Sequence, residues 1–171
     1  MNTKVYIIGG LGSGKSYFAK KLSEKIGVPY FDIDQIVFKE SRFDERTESE
    51  RNAIFENIFK KDSWILEGTF TEDWIIPGLE ASSRIIYLTT PPAARLYRFI
   101  KRILKQGILK QNDLLGRTKL VLGFKHKEWD RTANKYEEVL ALHKNKVITL
   151  KSKKEVVDFI DAQKKEVKLI H

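Results

Sequence analysis

Residues 9–16 read GGLGSGKS, and few folds accommodate such a run. The run matches the pattern G-x-x-x-x-G-K-[ST]. The apolar stretch Val5 to Ile8 precedes it, and Lys15 to Ile26 follows with apolar residues at helical spacing. A buried strand, a glycine-rich turn and a helix in this order form the context in which backbone N–H groups point inward at phosphate oxygens. The sequence therefore predicts a strand–loop–helix unit that binds a phosphorylated ligand.

Each residue type in the loop has a chemical task. Glycine lets the backbone wrap closely around phosphate, and the helix N-terminus adds unpaired N–H groups and a positive dipole end. Lys15 is expected to reach the β- and γ-phosphates, and the Ser16 hydroxyl to ligate Mg²⁺. The alternative is a glycine-rich turn that binds nothing. We predict that ATP and Mg²⁺ bind here, through Gly9, Gly10, Gly12, Ser13, Gly14, Lys15, Ser16 and Tyr17.

Short apolar runs alternate with helical patterns along the rest of the chain. Strands are predicted at Tyr30–Ile33, Trp64–Leu66, Arg84–Leu88 and Lys146–Leu150. Helices are predicted from a capping box at Thr47 and Glu50 to about Lys61, from about Pro92, near 130–143, and over Lys154–Gln163. Strands that are apolar throughout and alternate with helices indicate a parallel sheet covered on both faces. The expected strand order is 2-3-1-4-5.

Composition narrows the class of protein. A length of 171 residues with 42% hydrophobic residues fits one domain, 1–171, with a packed core. There is no cysteine, and the three histidines lack the spacing of a metal site. No apolar run is long enough to span a bilayer and no signal peptide is recognisable, so we expect a cytoplasmic protein. The net charge of +9 favours polyanionic partners without choosing among them.

Carboxylates follow two of the predicted strands. Asp32 and Asp34 close the second strand, and Glu67 closes the third. Ligands of open α/β sheets bind outside the carboxyl ends of the strands, so these groups are expected to face the phosphate loop. Glu67 is predicted to hold a water on Mg²⁺, and Asp34 to accept a proton from an acceptor hydroxyl. The alternative for both aspartates is capping of a helix over Gln35–Phe38.

The loop, together with FDIDQIVF after the second strand, SWILEGTF at the third and IIYLTTPPAARLYRFIKR at the fourth, resembles the bacterial DNA topology modulation protein (FlaR-like) family. That family is similar to adenylate and shikimate kinases. The resemblance covers nearly the whole chain and implies a five-stranded parallel sheet, nucleotide binding and a small lid. It does not supply a physiological substrate.

Individual positions support parts of this resemblance. Asp34 matches the acidic position after the second strand, where shikimate kinases carry an Asp-x-Asp pair. Glu67 stands where adenylate kinases have the aspartate of Asp-Gly. Adenylate kinases continue with Phe-Pro-Arg and shikimate kinases carry a glycine triplet there, whereas this chain reads Gly68-Thr69-Phe70. Neither AMP nor shikimate is therefore supported as the acceptor.

A basic segment follows the fourth strand. Arg95, Arg98 and Arg102 share one face of the predicted helix, and residues 95–131 contain eleven Lys or Arg against three Asp or Glu. Kinases of this group close an arginine-bearing lid at this point, which we assign to about 105–130. Arg98 and Arg102 are predicted to act on the transferring phosphoryl group. The alternative is a solvated basic face.

Three functions remain open. A small-molecule kinase would place its acceptor between Asp34, Glu67 and the helices around 40–60, with Arg42 as a candidate ligand for an acceptor anion. A nucleic-acid-binding protein regulated by ATP is permitted by the charge but supported by no nucleic-acid motif. An ATPase switch acting through a protein partner ranks last. Trp64, Trp74 and Trp129 are expected in the core rather than against a base.

Overall fold

The computed structural model describes residues 2–10, 12–40, 44–70, 72–91, 93–94, 97–98, 100–101 and 136–168. The predicted lid at 105–130, Arg42, Arg95, Arg102 and Trp129 lie outside these residues. The strands are β1 (Lys4–Gly9), β2 (Tyr30–Asp32), β3 (Trp64–Gly68), β4 (Arg84–Leu88) and β5 (Val147–Leu150). The helices are α1 (Lys15–Ile26), α2 (Ile33–Val37), α3 (Glu48–Phe59), α4 (Ile76–Ala81) and α5 (Lys153–Lys168). Helical residues also occur at 93–94, 97–98, 100–101 and 136–142, and 3₁₀ turns at Asp73–Ile75 and Lys144–Lys146.

The five strands form one parallel sheet in the order β2-β3-β1-β4-β5, which confirms the predicted topology. β1 lies at the centre, where Ile7 is in register with Glu67 of β3 and Gly9 with Leu88 of β4. The order places the end of β1 beside the ends of β3 and β4. The loop that follows Gly9 therefore opens at the carboxyl edge of the sheet.

Helices cover both faces, and each face buries its own apolar cluster. Val5 and Ile7 of β1 join the cluster that packs against α1 and α5. Tyr6 and Ile8 join the other, which packs against α2, α3, α4 and the helical residues from Tyr136. Neighbouring strand residues point to opposite faces, so a continuously apolar strand fills both clusters.

Helix boundaries follow local chemistry. α1 starts after Gly14, which has φ 99° and serves as its N-cap, and ends at Gly27 with φ 71°. The capping box at Thr47 and Glu50 is present, with Thr47 Oγ1 accepting from the Glu50 N–H at 3.3 Å. The capping box and the bounds of α1 confirm predictions made from the sequence, because caps depend on residues within one turn of the helix end.

Other boundaries differ from the predictions. β2 ends at Asp32 because Asp32 caps α2, so Ile33 is helical. β3 extends to Gly68, β5 starts one residue later than expected, and α5 spans Lys153–Lys168. The 3₁₀ turn at Asp73–Ile75 and α4 were not predicted. Within the part of the chain that the structure describes, no helix is both long and apolar enough to cross a membrane.

Candidate nucleotide and acceptor site

The loop after β1 takes the backbone conformation that its glycines permit. Gly12 has φ 74° and Gly14 φ 99°, values that side-chain-bearing residues rarely adopt. The Ser13 N–H donates to the Gly10 carbonyl at 3.1 Å, and the Phe18 N–H donates to Gly14 at 3.0 Å as α1 begins. The loop therefore turns directly into a helix N-terminus, which carries the unpaired N–H groups that bind anions.

Gly9 is fixed by a close approach of two strands. Its φ is 153°, and a Cβ placed there would lie 2.7 Å from the Leu88 carbonyl oxygen and 3.0 Å from Ser13 Oγ. Only a residue without a side chain allows the end of β1 to pass β4 at this separation.

Lys15 lies folded over the loop. Its side chain is buried, and Nζ donates to the Gly10 carbonyl at 3.3 Å. Ser13 is also buried, and its Oγ has no hydrogen-bond partner among the residues that the structure describes. Ser16 and Tyr17 are exposed on the first turn of α1. The loop thus concentrates one ammonium group and several donors around a single concave turn.

Two side chains hold the loop from its outer side. Thr90 Oγ1 and Arg98 Nη1 each donate to the Ser13 carbonyl at 2.9 Å, and Arg98 Nη1 lies 3.5 Å from the Gly12 carbonyl. A Cβ at Gly14 would come within 3.2 Å of the same Arg98 nitrogen. Arg98 therefore reaches the loop, but the atoms it contacts are loop carbonyls, and its role at the phosphates stays a prediction.

A cleft of about 360 Å³ opens beside this outer side. Its apolar wall comes from Tyr17, Leu88, Leu150 and Val156, and its polar edge includes Arg98 and Ser152. The turn between β5 and α5 was not assigned to the site from the sequence. The signal was the spacing Ser152-x-x-Glu155, in which Ser152 Oγ accepts from the Glu155 N–H at 3.2 Å and fixes the turn at the mouth of the cleft.

Glu67 lies at the carboxyl edge, in register with Ile7 on one side and Asp32 on the other. Its side chain is only 2% exposed, and Oε1 has no hydrogen-bond partner among the described residues. Burial raises the pKa of Glu67, while hydrogen bonding from Ser16 opposes the rise. The charge of Asp32 raises the pKa further, that of Lys15 lowers it, and that of Asp34 raises it. Four of the predicted site residues and their neighbours, Ser16, Asp32, Lys15 and Asp34, thus influence the pKa of one buried carboxyl group.

The two aspartates have different positions. Asp32 is the N-cap of α2, with Oδ1 accepting from the Asp34 N–H at 2.9 Å, which confirms the capping alternative for this residue. Asp34 lies in the first turn of α2 and is half-buried. α2 is held tightly against β3, since a Cβ at Gly68 would lie 2.8 Å from Ile33 Cδ1. The packing fixes where the first turn of α2 lies relative to Glu67.

The tryptophans that the structure describes pack in the core. Trp64 is fully buried, and the ring of Trp74 lies 5.6 Å from Phe55 and 5.1 Å from Phe70. The preference for core packing over base stacking is confirmed for these two residues. No group of three or more His, Cys, Asp or Glu residues suited to a metal occurs within the described ranges.

Comparisons with known proteins place this geometry in a fold group. No family model matches the chain. A curated shikimate kinase from Persephonella marina (strain DSM 14350 / EX-H1) is 50% identical over 36 residues, which is 21% of this chain and 22% of the relative. The chain thus matches about a fifth of that relative's length, which is too little to show a family.

Solved structures resemble the chain over nearly its whole length. A shikimate kinase from Bacteroides thetaiotaomicron has a TM-score of 0.56 at 16% identity, covering 97% of this chain and 98% of its own. A gluconokinase from Sinorhizobium meliloti 1021 has a TM-score of 0.54 at 14% identity, with coverage of 98% and 97%. A deoxyadenosine kinase from M. mycoides, with bound dCTP, has a TM-score of 0.50 at 16% identity, with coverage of 94% and 98%.

Structural similarity at 14–16% sequence identity establishes the fold and nothing more. These solved structures do not show the DNA topology modulation family that the sequence resembles. They agree with the strand order, the loop between β1 and α1, and the helices on both faces. The chain therefore has the five-stranded P-loop fold seen in shikimate and nucleoside kinases.

Proposed function

We propose that this protein is a phosphotransferase that uses ATP and Mg²⁺ to phosphorylate a hydroxyl group of a small-molecule acceptor. The observation that carries the proposal is the buried Glu67 carboxyl. Asp32 of β2 is in register with Glu67, and the Ser16 side chain hydrogen-bonds to Glu67, while the charges of Lys15 and Asp34 act on its pKa. Kinases catalyse phosphoryl transfer mainly by positioning and charge stabilisation, which is what such a grouping provides.

The nucleotide would lie across the loop, with its phosphates on the backbone N–H groups of residues 12–16 and on Lys15. A purine base fits the neighbouring cleft, where Tyr17, Leu88 and Val156 offer apolar contact and Arg98 lies at the edge. The cleft and the loop share Ser13 and Gly14, so one ligand can fill both. The fold neighbours named as kinases support this assignment at the level of the nucleotide class.

Ser16 and Glu67 fit a magnesium ion that accompanies the nucleotide. Mg²⁺ prefers oxygen ligands and is usually held by one or two protein groups together with waters and phosphates. The hydroxyl of Ser16 and the unpartnered Oε1 of Glu67 are such oxygens. Bound there, the ion would offset the negative charge of the phosphates.

Asp34 would act on the acceptor. It lies half-buried in the first turn of α2, near enough to Glu67 for its charge to influence that carboxyl. A carboxylate in this position would orient an acceptor hydroxyl and take its proton. Arg98, Arg102 and the lid at 105–130 belong to the same proposal as groups that stabilise the transferring phosphoryl and exclude water.

Lys15→Ala tests the proposal. A ligand that binds only the folded state stabilises it by about 2.7 kcal/mol at a hundredfold excess over Kd. For a chain of this length that corresponds to a rise in Tm of roughly 5–11 °C. We expect ATP-Mg to produce this rise in the wild type and little of it in Lys15→Ala. Lys20→Ala, which removes an exposed lysine of the same helix, is the matched control.

An unchanged response to ATP-Mg in Lys15→Ala would refute the assigned loop. If Lys15→Ala loses the response, the acceptor is sought by measuring ADP release with polyols, sugar acids, nucleosides and their phosphates. An acceptor that raises ADP release in the wild type and not in Lys15→Ala would establish the activity.

A further inference from the structure

The Ser13 carbonyl is held by two side chains from outside the phosphate loop. Thr90 Oγ1 and Arg98 Nη1 each donate to it at 2.9 Å. A carbonyl oxygen has two lone pairs, so these two donors fill its capacity and fix the direction in which it points. The donors lie 77 and 85 residues later in the chain, so the tertiary fold and not the loop itself sets this direction.

A fixed carbonyl also fixes the N–H group of the next residue. A trans peptide is planar, and its C=O and N–H bonds point in opposite directions. The peptide between Ser13 and Gly14 therefore directs the Gly14 N–H away from Thr90 and Arg98. The side of the loop opposite these two residues is its concave side, where Lys15 Nζ donates to the Gly10 carbonyl.

This peptide needs support because glycine follows it. Gly14 has φ 99°, and glycine adopts positive and negative φ about equally well, so the Ser13–Gly14 peptide can reverse with little penalty from its own backbone. A reversed peptide would turn the Ser13 carbonyl oxygen, instead of the Gly14 N–H, toward the phosphates. Such an oxygen repels an anion. The hydrogen bonds from Thr90 and Arg98 oppose this reversal.

Thr90 is the more firmly placed of the two donors. Leu88 at the end of β4 is in register with Gly9 of β1, and the Thr89 N–H donates to the Leu150 carbonyl of β5 at 3.0 Å. The backbone next to Thr90 is thus held by neighbouring strands on both sides. Arg98 reaches the same carbonyl with a long, exposed side chain, which loses more conformational entropy when it is ordered.

We propose that Thr90 is a positioning residue for the phosphates of the nucleotide. Together with Arg98 it holds the Ser13–Gly14 peptide in the orientation that presents the Gly14 N–H to a phosphate oxygen. The inference rests on the proposed function, because that function assigns ATP-Mg to this loop. Thr90 also lines the cleft assigned to the base, so an effect through the loop has to be separated from a direct contact with the base.

Three substitutions and three ligands make this separation. Thr90→Val replaces the hydroxyl by a methyl group of similar size, and Thr90→Ser keeps the hydroxyl. Thr89→Val is the matched control, because Thr89 is also half-buried and donates to Leu150 through its backbone N–H, which valine retains. Each protein is titrated calorimetrically with ATP-Mg, with tripolyphosphate and Mg²⁺, and with adenosine. The Gly14 amide resonance is followed by NMR without ligand.

Thr90→Val should bind ATP-Mg and tripolyphosphate roughly three- to tenfold more weakly than the wild type, which is the effect of losing one neutral hydrogen bond. Its affinity for adenosine should not change, since adenosine has no phosphate. Thr90→Ser and Thr89→Val should bind all three ligands as the wild type does. In the ligand-free protein, the Gly14 amide resonance should move in Thr90→Val and stay close to its wild-type position in Thr90→Ser.

Three results would overturn the inference. They are wild-type affinity of Thr90→Val for ATP-Mg, an equal loss of affinity in Thr89→Val, or weaker binding of adenosine with unchanged binding of tripolyphosphate, which would make Thr90 a contact of the base. Should Thr90→Val fail to fold, Thr90→Ala is judged by the same criteria. A wild type that binds neither ATP-Mg nor tripolyphosphate counts against the phosphotransferase. The Gly14 resonance then decides this inference, and an unmoved resonance in Thr90→Val refutes it.

Discussion

Replacing Glu67 by Gln should stabilise the protein while impairing its use of ATP-Mg. The carboxyl is 2% exposed, and burial, the main cause, raises its pKa above the ordinary value of 4.5. The folded state therefore binds a proton more readily than the unfolded state. As pH rises from about 4.5 through the raised pKa, the wild type loses stability, and the loss is complete above the raised pKa. Gln has nearly the same shape and no charge, so the stability of the Glu67→Gln variant does not fall in this way as pH rises.

The size of the effect follows from the pKa shift. Each pKa unit corresponds to about 1.4 kcal/mol of differential stability. For a chain of 171 residues this is a difference in Tm of roughly 3–6 °C per unit. The gain is expected at pH 7–8 and should vanish near pH 4, where the wild-type carboxyl is protonated in both states.

Thermal unfolding in EDTA, from pH 4 to pH 8, measures the difference without bound metal. Glu155→Gln is a control of opposite sign, because the Lys151 N–H and the Ser152 hydroxyl lower the pKa of this exposed carboxyl. Its contribution to stability is present above pH 4.5 and fades as pH falls through the lowered pKa. With ATP-Mg added, Glu67→Gln should show a smaller rise in Tm than the wild type. Lower stability of Glu67→Gln at pH 7, or a difference that does not change with pH, would refute the reasoning.

Further substitutions test the loop and α2. Gly9→Ala should lower the free energy of unfolding by several kcal/mol, because the new Cβ would lie 2.7 Å from the Leu88 carbonyl oxygen. Gly27→Ala should lower it by about 1–2 kcal/mol, because Gly27 has φ 71° but open space around it. Urea unfolding of both variants measures the difference. Asp32→Ala should lose about 1 kcal/mol with the cap of α2, and Asp32→Asn much less, in the same assay. Asp34→Asn should lower turnover with the true acceptor while leaving ATP affinity intact; wild-type turnover, measured as ADP release, would contradict the acceptor-side role.

Features set by neighbouring residues could be predicted from the sequence. The bounds of α1 and β4 match the predictions, and the strand order is confirmed, because glycine placement, apolar runs and caps are local signals. The short α4 follows a 3₁₀ turn and has a proline in its first turn, and its apolar content is too brief to show a helical period. Its position depends on packing against β1 and α3, which no local pattern records.

The candidate site was predictable as a set of residue types but not as contacts. Asp32 and Asp34 look alike in the sequence, and only the start of α2 makes one a cap. Arg98 was assigned to the transferring phosphoryl group, and no local pattern shows that it also donates to carbonyls of residues 85 positions or more earlier in the chain. Thr90 gave no signal, since its hydrogen bond to the Ser13 carbonyl requires the end of β4 and the loop after β1 to meet. These contacts join residues that are far apart in the chain, so no short stretch of the sequence predicts them.

The central position of β1 has a consequence for synthesis on the ribosome. β1 is synthesised well before its hydrogen-bonding neighbours, β3 and β4. The Ser13 carbonyl accepts hydrogen bonds from Thr90 and Arg98, which are synthesised after β4. A nascent chain that ends before β3 therefore has an unpaired apolar strand β1, and the loop after β1 lacks its hydrogen bonds from Thr90 and Arg98. Because contacts of such long sequence separation form slowly, β1 needs protection from aggregation until β3 and β4 are available to pair with it.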